Sequence, residues 1–310
     1  MKKLNDLFLL TEEEIDLLPN EEDVLFYKEH GFYTSKKLLS DDEIDQLLEA
    51  SDEFYKGKKD HEIPIVPKGA TYWRPGDKDN LRQNCYITRE SEVFRKILTK
   101  PIIGAVAAKL ACSEESRLFV DVLRYKSTKV SEGTTIGWHI DRHYWQMFTS
   151  DEMLTAFIPL HDCFEEHGTI IMIDGSNKWT EEANPDDSTA LHFADRDVSD
   201  LEKRLYAEAA ANGANVKKVP INLKKGQINF HNSMTYHGSL PNTSGRPRQS
   251  VSLHIQDKKN NYRRHYLDNG NVAAHHTEQL CSRNEDGTPN YKDLDYFPLL
   301  WREKNQFSDI

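Results

Sequence analysis

Apolar positions recur at helical spacing through the first third of the chain and at a spacing of two beyond it. Ser40-Asp41-Asp42-Glu43 sets a serine three residues ahead of a glutamate, and Ile44, Leu47 and Leu48 then share one helical face. That spacing predicts a capped amphipathic helix. Upstream, Val24 to Phe32 predicts a helix stopped at Gly31 and a short strand after it. Further helices are predicted from Ser91 and from Pro101 through Ala111, where proline suits the first helical turn. Residues 56 to 86 are polar and aromatic, with Tyr72-Trp73-Arg74-Pro75-Gly76 at their centre. They read as a surface loop with one packed tryptophan, or as a lid facing a substrate.

From residue 117 the alternation predicts short strands. These cover Leu118 to Tyr125, Thr134 to Tyr144, Leu154 to Leu160 and, after a turn at His167-Gly168, Thr169 to Ile173. Others cover Val216 to Leu223, Gln227 to Phe230 after the Lys225-Gly226 turn, Met234 to Gly238, and Gln249 to Ile255. An insertion at about 177–219 carries a helix from Ser199 to Asn212, with Ser199 and Glu202 as a capping box and Gly213 as the stop. The expected fold is mainly β with flanking helices: a double-sheet jelly roll with helices packed outside. Residues 1–116 form an N-terminal helical segment with the loop, 117–257 the β core, and 258–310 a C-terminal extension without clear period. All three belong to one structural domain.

Composition narrows the class. The 310 residues are 37% hydrophobic and 10% aromatic, enough for a substantial core. A net charge of −11 argues against a nucleic-acid or anionic-membrane surface, which needs clustered Lys and Arg. No apolar run is long enough for a transmembrane helix. The N-terminus lacks the apolar stretch of a signal peptide and turns acidic by Glu12-Glu13-Glu14, so a cytoplasmic protein is expected. Cys85, Cys112, Cys163 and Cys281 show no paired spacing and read as reduced thiols rather than a zinc site.

The chemistry centres on Gly137-Trp138-His139-Ile140-Asp141. In a strand, His139 and Asp141 point to the same side. With His237 as a third ligand they would form two histidines and a carboxylate on one side of a metal, the set used by non-haem Fe(II) oxygenases. The dyad alone is weak. With 13 His and 51 Asp+Glu in the chain, about two His-x-Asp/Glu matches arise by chance. Two are present, the second being His276/Glu278 in the tail, read here as the chance match. On the last strand Arg248, Ser250, Ser252 and His254 share one face, and Val251, Leu253 and Ile255 the other. The polar face fits either solvent or a ligand cavity.

Several blocks in order resemble the phytanoyl-CoA dioxygenase family. They are His139-x-Asp141, Phe164-Glu165-Glu166-His167-Gly168-Thr169, Ile173-Asp174-Gly175-Ser176-Asn177-Lys178, and His237 through Arg248. The likeness covers about residues 115 to 257. His167 stands where the family usually has Asn, and Asp174 where it has Pro. The resemblance implies a double-stranded β-helix (jelly roll, cupin-like) that uses Fe(II), 2-oxoglutarate as co-substrate, and O2.

Carried over, the resemblance makes His139, Asp141 and His237 the iron ligands and catalytic centre. Arg248 takes the distal carboxylate of 2-oxoglutarate, with Arg246 as its rival and Ser239 and Ser250 as hydroxyl partners. A planar guanidinium meets a carboxylate with two parallel hydrogen bonds, which suits Arg physically. Trp73, Arg82, Asn84, Trp138 and His143 are the substrate-side candidates. Trp138 also reads as a packing residue, His231 as a cavity residue, and His254 as a satisfied core histidine.

The activity implied is hydroxylation of an unactivated C–H bond in a small-molecule metabolite, with release of succinate and CO2. Asp141 matters here, since related halogenases carry a small residue at its position. Desaturation, epimerisation or cyclisation with the same cofactors is the alternative. A non-catalytic jelly-roll binding protein is the third reading, and the intact set of four residues argues against it. A small-molecule substrate of polar, biosynthetic origin is expected. Neither its identity nor the oligomeric state can be read from the residues.

Overall fold

The computed structural model of the chain describes residues 9–77, 79, 81–128, 134–180, 197–267 and 269–303. Eleven strands are found among them: β1 (Phe32–Lys37), β2 (Leu81–Cys85), β3 (Glu115–Lys126), β4 (Ile136–His139), β5 (Leu154–Pro159), β6 (Ile170–Ile173), β7 (Lys218–Pro220), β8 (Gln227–Asn232), β9 (His237–Ser239), β10 (Arg248–Asp257) and β11 (Leu299–Arg302). The larger sheet runs β1-β8-β5-β10-β3-β11, and β2 also pairs with β3. The smaller runs β4-β9-β6-β7. Ladders in both sheets are antiparallel. Two facing antiparallel sheets of this order make the expected jelly roll.

Helices cover the outer face of the larger sheet. Glu21–His30 is capped by Asn20 and ends at Gly31 in the left-handed region, and Asp41–Tyr55 starts with the Ser40/Glu43 capping box. Ile44, Leu47, Val106 and Leu110 from the helices share one buried cluster with Val251, Leu253 and Ile255 of β10. The apolar face of β10 thus packs outward on helices, leaving its polar face to line the interior. Alternation alone fitted both arrangements; the helical layer decides between them.

Some boundaries differ from expectation. β4 ends at His139, and Asp141–Tyr144 is a 3-10 turn, but Ile140 stays extended (φ −114°, ψ 142°), so alternation still carries as far as Asp141. The stretch expected as a strand over 216–223 shrinks to β7, and that over 234–238 to β9 at its end. The helix of the insertion is Val198–Ala211, capped by Asp197 rather than Ser199, because Asp197 accepts from the Ser199 amide. Residues 181–196 of that insertion, and the N-terminal residues 1–8, lie outside the described residues.

The loop at 56–86 contains β2. The C-terminal extension is held by aromatic packing, with Tyr291 and Phe297 against Phe119 and Phe148. Packing of scattered aromatics leaves no period to read. No helix among the described residues is long and apolar enough to cross a membrane.

Gly226 turns the chain into β8 with φ +88°, and a Cβ there would meet the Leu39 carbonyl oxygen at 2.1 Å. Gly226→Ala is expected to cost roughly 2–4 kcal/mol, against about 1 kcal/mol for loss of the cap in Ser40→Ala. Urea midpoints with unchanged slopes would measure both, and equal effects would contradict the close approach.

Candidate metal centre and adjoining cavities

His139 and His237 are register partners across β4 and β9, with ring centroids 4.2 Å apart. Each points Nδ1 at a backbone carbonyl, His139 at Gly137 (2.8 Å) and His237 at Thr235 (2.9 Å). A carbonyl only accepts, so Nδ1 carries the proton and Nε2 presents its lone pair. These Nε2 atoms stand 4.0 Å and 3.7 Å from Asp141 Oδ1. Among the described residues, His139, Asp141 and His237 form a group whose ligand atoms all lie within 4.8 Å of one another.

The second oxygen of Asp141 is held from behind. Thr155 donates its hydroxyl to Asp141 Oδ2 at 2.6 Å. Its one proton is thereby used, so at 2.7 Å it accepts from His254 Nδ1. This chain fixes the carboxylate and leaves Oδ1 facing the two imidazoles.

Charge is arranged to match. Burial, and then the neighbouring His139, push His237 well below the usual imidazole range, so the ring is neutral and able to ligate. Burial opposes ionisation of Asp141, but its interaction with the surrounding imidazoles, His237 foremost, outweighs it and holds the carboxyl well below its ordinary value. A neutral-histidine, ionised-carboxylate set is what a divalent first-row cation takes.

A small cavity of about 40 Å³ adjoins this group, with Phe157, His231, Ser239, Arg248 and Ser252 on its wall. Arg248 is fully buried and donates Nη1 to the Gly168 carbonyl at 2.6 Å. Its Nε and the Ser250 hydroxyl, also fully buried, have no hydrogen-bond partner. Burial lowers the Arg248 pKa to about 10, which leaves it charged at neutral pH. Beside it, across the β3–β10 ladder, buried Lys126 donates Nζ to Ser239 Oγ (2.7 Å) and the Leu240 carbonyl (2.6 Å). Burial first, then the Arg248 charge, push the Lys126 pKa well below its ordinary value. Orphaned donors beside a buried cation fit a carboxylate-bearing ligand.

A larger cavity of about 490 Å³ opens on the same His139 and Asp141. β2 gives it Gln83 and Cys85, β3 gives Val120, Val122 and Arg124, and the C-terminal extension gives His275 and His276.

The structure brings His139, Asp141, His237, Ser239 and Arg248 together, with Ser250 buried on the same strand face. Arg246 lies apart, near His167. Arg82 and Asn84 are not on either cavity wall, because strand alternation turns their neighbours Gln83 and Cys85 inward. Arg82 instead pairs with Asp79 and lies over the Trp73 ring, and Asn84 holds the Trp73 carbonyl. Trp73 packs edge-on against Tyr55. Trp138 packs with Ile140, Ile171 and Leu205 on the far side of β4, and His143 is on neither wall.

Reasoning from sequence missed Lys126, because the predicted strand stopped at Tyr125, and it assigned no role to Arg124. Two bases two residues apart at the end of an apolar strand were the available signal. It also missed Thr155. His276/Glu278 is not a metal pair but is not loose tail either: Glu278 is buried and accepts from the Tyr291 hydroxyl at 2.7 Å.

Residues 27–250 match the family model described as phytanoyl-CoA dioxygenase (PhyH), and the chain belongs to that family. Its Fe(II), 2-oxoglutarate and O2 are the cofactors this donor set is built to take. A curated relative, the phytanoyl-CoA dioxygenase domain-containing protein 1 homolog of Caenorhabditis elegans, is 24% identical over 136 residues. That match spans 44% of this chain and 45% of the relative.

Solved structures share the fold. The non-heme alpha ketoglutarate dependent carbocyclase SnoK from nogalamycin biosynthesis superposes with TM-score 0.63 at 22% identity, covering 91% of this chain and 96% of its own. The epimerase SnoN, in complex with Fe3+, alpha ketoglutarate and nogalamycin RO, gives 0.62 at 21%, covering 90% and 98%. EctD from S. alaskensis with bound Fe gives 0.61 at 19%, covering 82% of each chain.

Thr155→Val keeps shape but removes the hydroxyl that fixes Asp141. Metal affinity is expected to fall by about 10- to 100-fold, as for other partners of a ligating group. Co(II) titration under anaerobic conditions measures it, and unchanged affinity would remove Thr155 from the centre.

Proposed function

We propose that the protein is an Fe(II)- and 2-oxoglutarate-dependent dioxygenase that hydroxylates an unactivated C–H bond of a small-molecule metabolite. One oxygen atom of O2 would enter the substrate and the other succinate, with loss of CO2. The observation that carries the reading is the junction of two features at one buried point. Two imidazoles turn their Nε2 atoms toward an ionised Asp141, and the unpartnered Arg248 Nε and Ser250 hydroxyl lie next to them.

In this reading His139, Asp141 and His237 hold the iron. Arg248 pairs with the distal carboxylate of 2-oxoglutarate, helped by Ser250, while Lys126 fixes Ser239 at the same end. Iron with 2-oxoglutarate supplies the oxidation of the C–H bond when bound. The chain's part is to orient and to exclude water. His254 and Thr155 hold Asp141 in one rotamer, the Gly137 and Thr235 carbonyls hold the imidazoles in one tautomer, and burial of all three ligands keeps bulk water away. Asp141 would hold the metal with a carboxylate where a small residue would admit halide.

A second reading keeps the cofactors but ends in epimerisation or ring closure, as in SnoN and SnoK. Mass spectrometry of the product separates them, since hydroxylation adds one oxygen.

Anaerobic addition of Fe(II) and 2-oxoglutarate is expected to give a weak visible charge-transfer band. Arg248→Ala should raise the 2-oxoglutarate needed to half-saturate it about tenfold or more, as loss of a charge-assisted hydrogen bond implies, while iron affinity is largely kept. No band, or full 2-oxoglutarate turnover in His139→Ala, would sink the assignment.

A further inference from the structure

Three bases face the interior of the larger sheet: half-buried Arg124 and buried Lys126 of β3, and buried Arg248 of β10. Buried bases elsewhere are matched, Arg117 by Glu115 and Arg142 by Asp151. Among the described residues no carboxylate comes within ion-pair distance of these three. Charge left unpaired away from water is costly, so the anions that Arg124 and Arg248 await are ligands. In the reading above, 2-oxoglutarate answers Arg248 while Lys126 fixes Ser239; Arg124 feels the Asp141 charge but makes no ion pair with it.

The placement of Arg124 says which cavity it serves. Its backbone is level with Ser250, two pairs from the Arg248 row. Its guanidinium, however, leans back along the sheet: Nη1 donates to Ser252 Oγ at 2.6 Å, and Nε donates to Gln83 Oε1 at 3.1 Å. Gln83 and the apolar Val120 and Val122 belong to the larger cavity, and Arg124 stands on both walls. The acids on that larger wall are already engaged. Asp141 Oδ2 takes the Thr155 hydroxyl, and Glu278 takes the Tyr291 hydroxyl and the His275 amide.

The geometry points to a substrate that carries an anionic group, a carboxylate or a phosphate monoester, held by the free edge of Arg124 next to the metal centre. This deepens the proposed function and rests on it for the position of the iron. The oxidised carbon then lies near the anionic end of the substrate, with the rest of the molecule against Val120, Val122 and the extension's His275 and His276.

Hexanoate, hexyl phosphate and hexanamide are suitable probes, titrated into the full chain loaded with Zn(II) and 2-oxoglutarate and followed by ligand-observed NMR. At least one anion is expected to bind about tenfold more tightly than the amide, and the preferred anion identifies the headgroup. In Arg124→Gln the preference should vanish, in Arg124→Lys it should partly return, and in both the 2-oxoglutarate dependence of the charge-transfer band should stay within about threefold of wild type. Equal binding of all three probes to the wild type, or no binding of any, overturns the inference without needing a variant. So does a rise in the 2-oxoglutarate requirement in Arg124→Gln like that of Arg248→Ala, which would make Arg124 a co-substrate ligand. Failure of the iron reading shows separately, as absence of the band in the wild type.

Discussion

Everything in the site depends on one carboxylate being held at both ends. Asp141 sits just past the end of β4, where the chain leaves the smaller sheet for a 3-10 turn. Unsupported, a buried carboxylate there would protonate or swing away. Thr155 on β5 and His254 on β10 prevent both, and both belong to the larger sheet. The candidate metal group is therefore a joint between the sheets: its three side chains come from β4, its following turn and β9, and its support from β5 and β10. Closing the jelly roll and building the centre are the same event.

The same economy shapes the histidines. Pairing of β4 with β9 sets His139 opposite His237, and each ring is locked by a carbonyl two residues earlier in its own chain. No distant partner is needed to choose the tautomer. By contrast, the cationic row of Arg124, Lys126 and Arg248 is left open toward the interior. Folding tolerates that row because each base still makes hydrogen bonds to neutral groups, which lowers the cost.

Much of this was legible in the residues. The capping box at Ser40, the stop at Gly31, the alternation of β10 and the His139-x-Asp141 spacing are all local, and local physics fixes them. Four ordered blocks carried the resemblance to the family. Less legible was anything set by partners far along the chain. Arg82 and Asn84 were candidates for the cavity, yet alternation on β2 turns Gln83 and Cys85 inward instead, and the parity of an isolated five-residue strand cannot be read without knowing what it pairs with.

Period and residue type fix the kinds of element, the shared side of His139 and Asp141, and the polar face on which Arg248 lies, while His237 joined them through the family resemblance. That this polar face points inward depends on the helices that cover the opposite side, which no local pattern reveals. The tertiary structure alone placed Lys126, Thr155 and Arg124 around the centre, and brought His275 and His276 from the aperiodic extension to the wall of the larger cavity. Those contacts join residues far apart in the chain, and only the packing of the core brings them together.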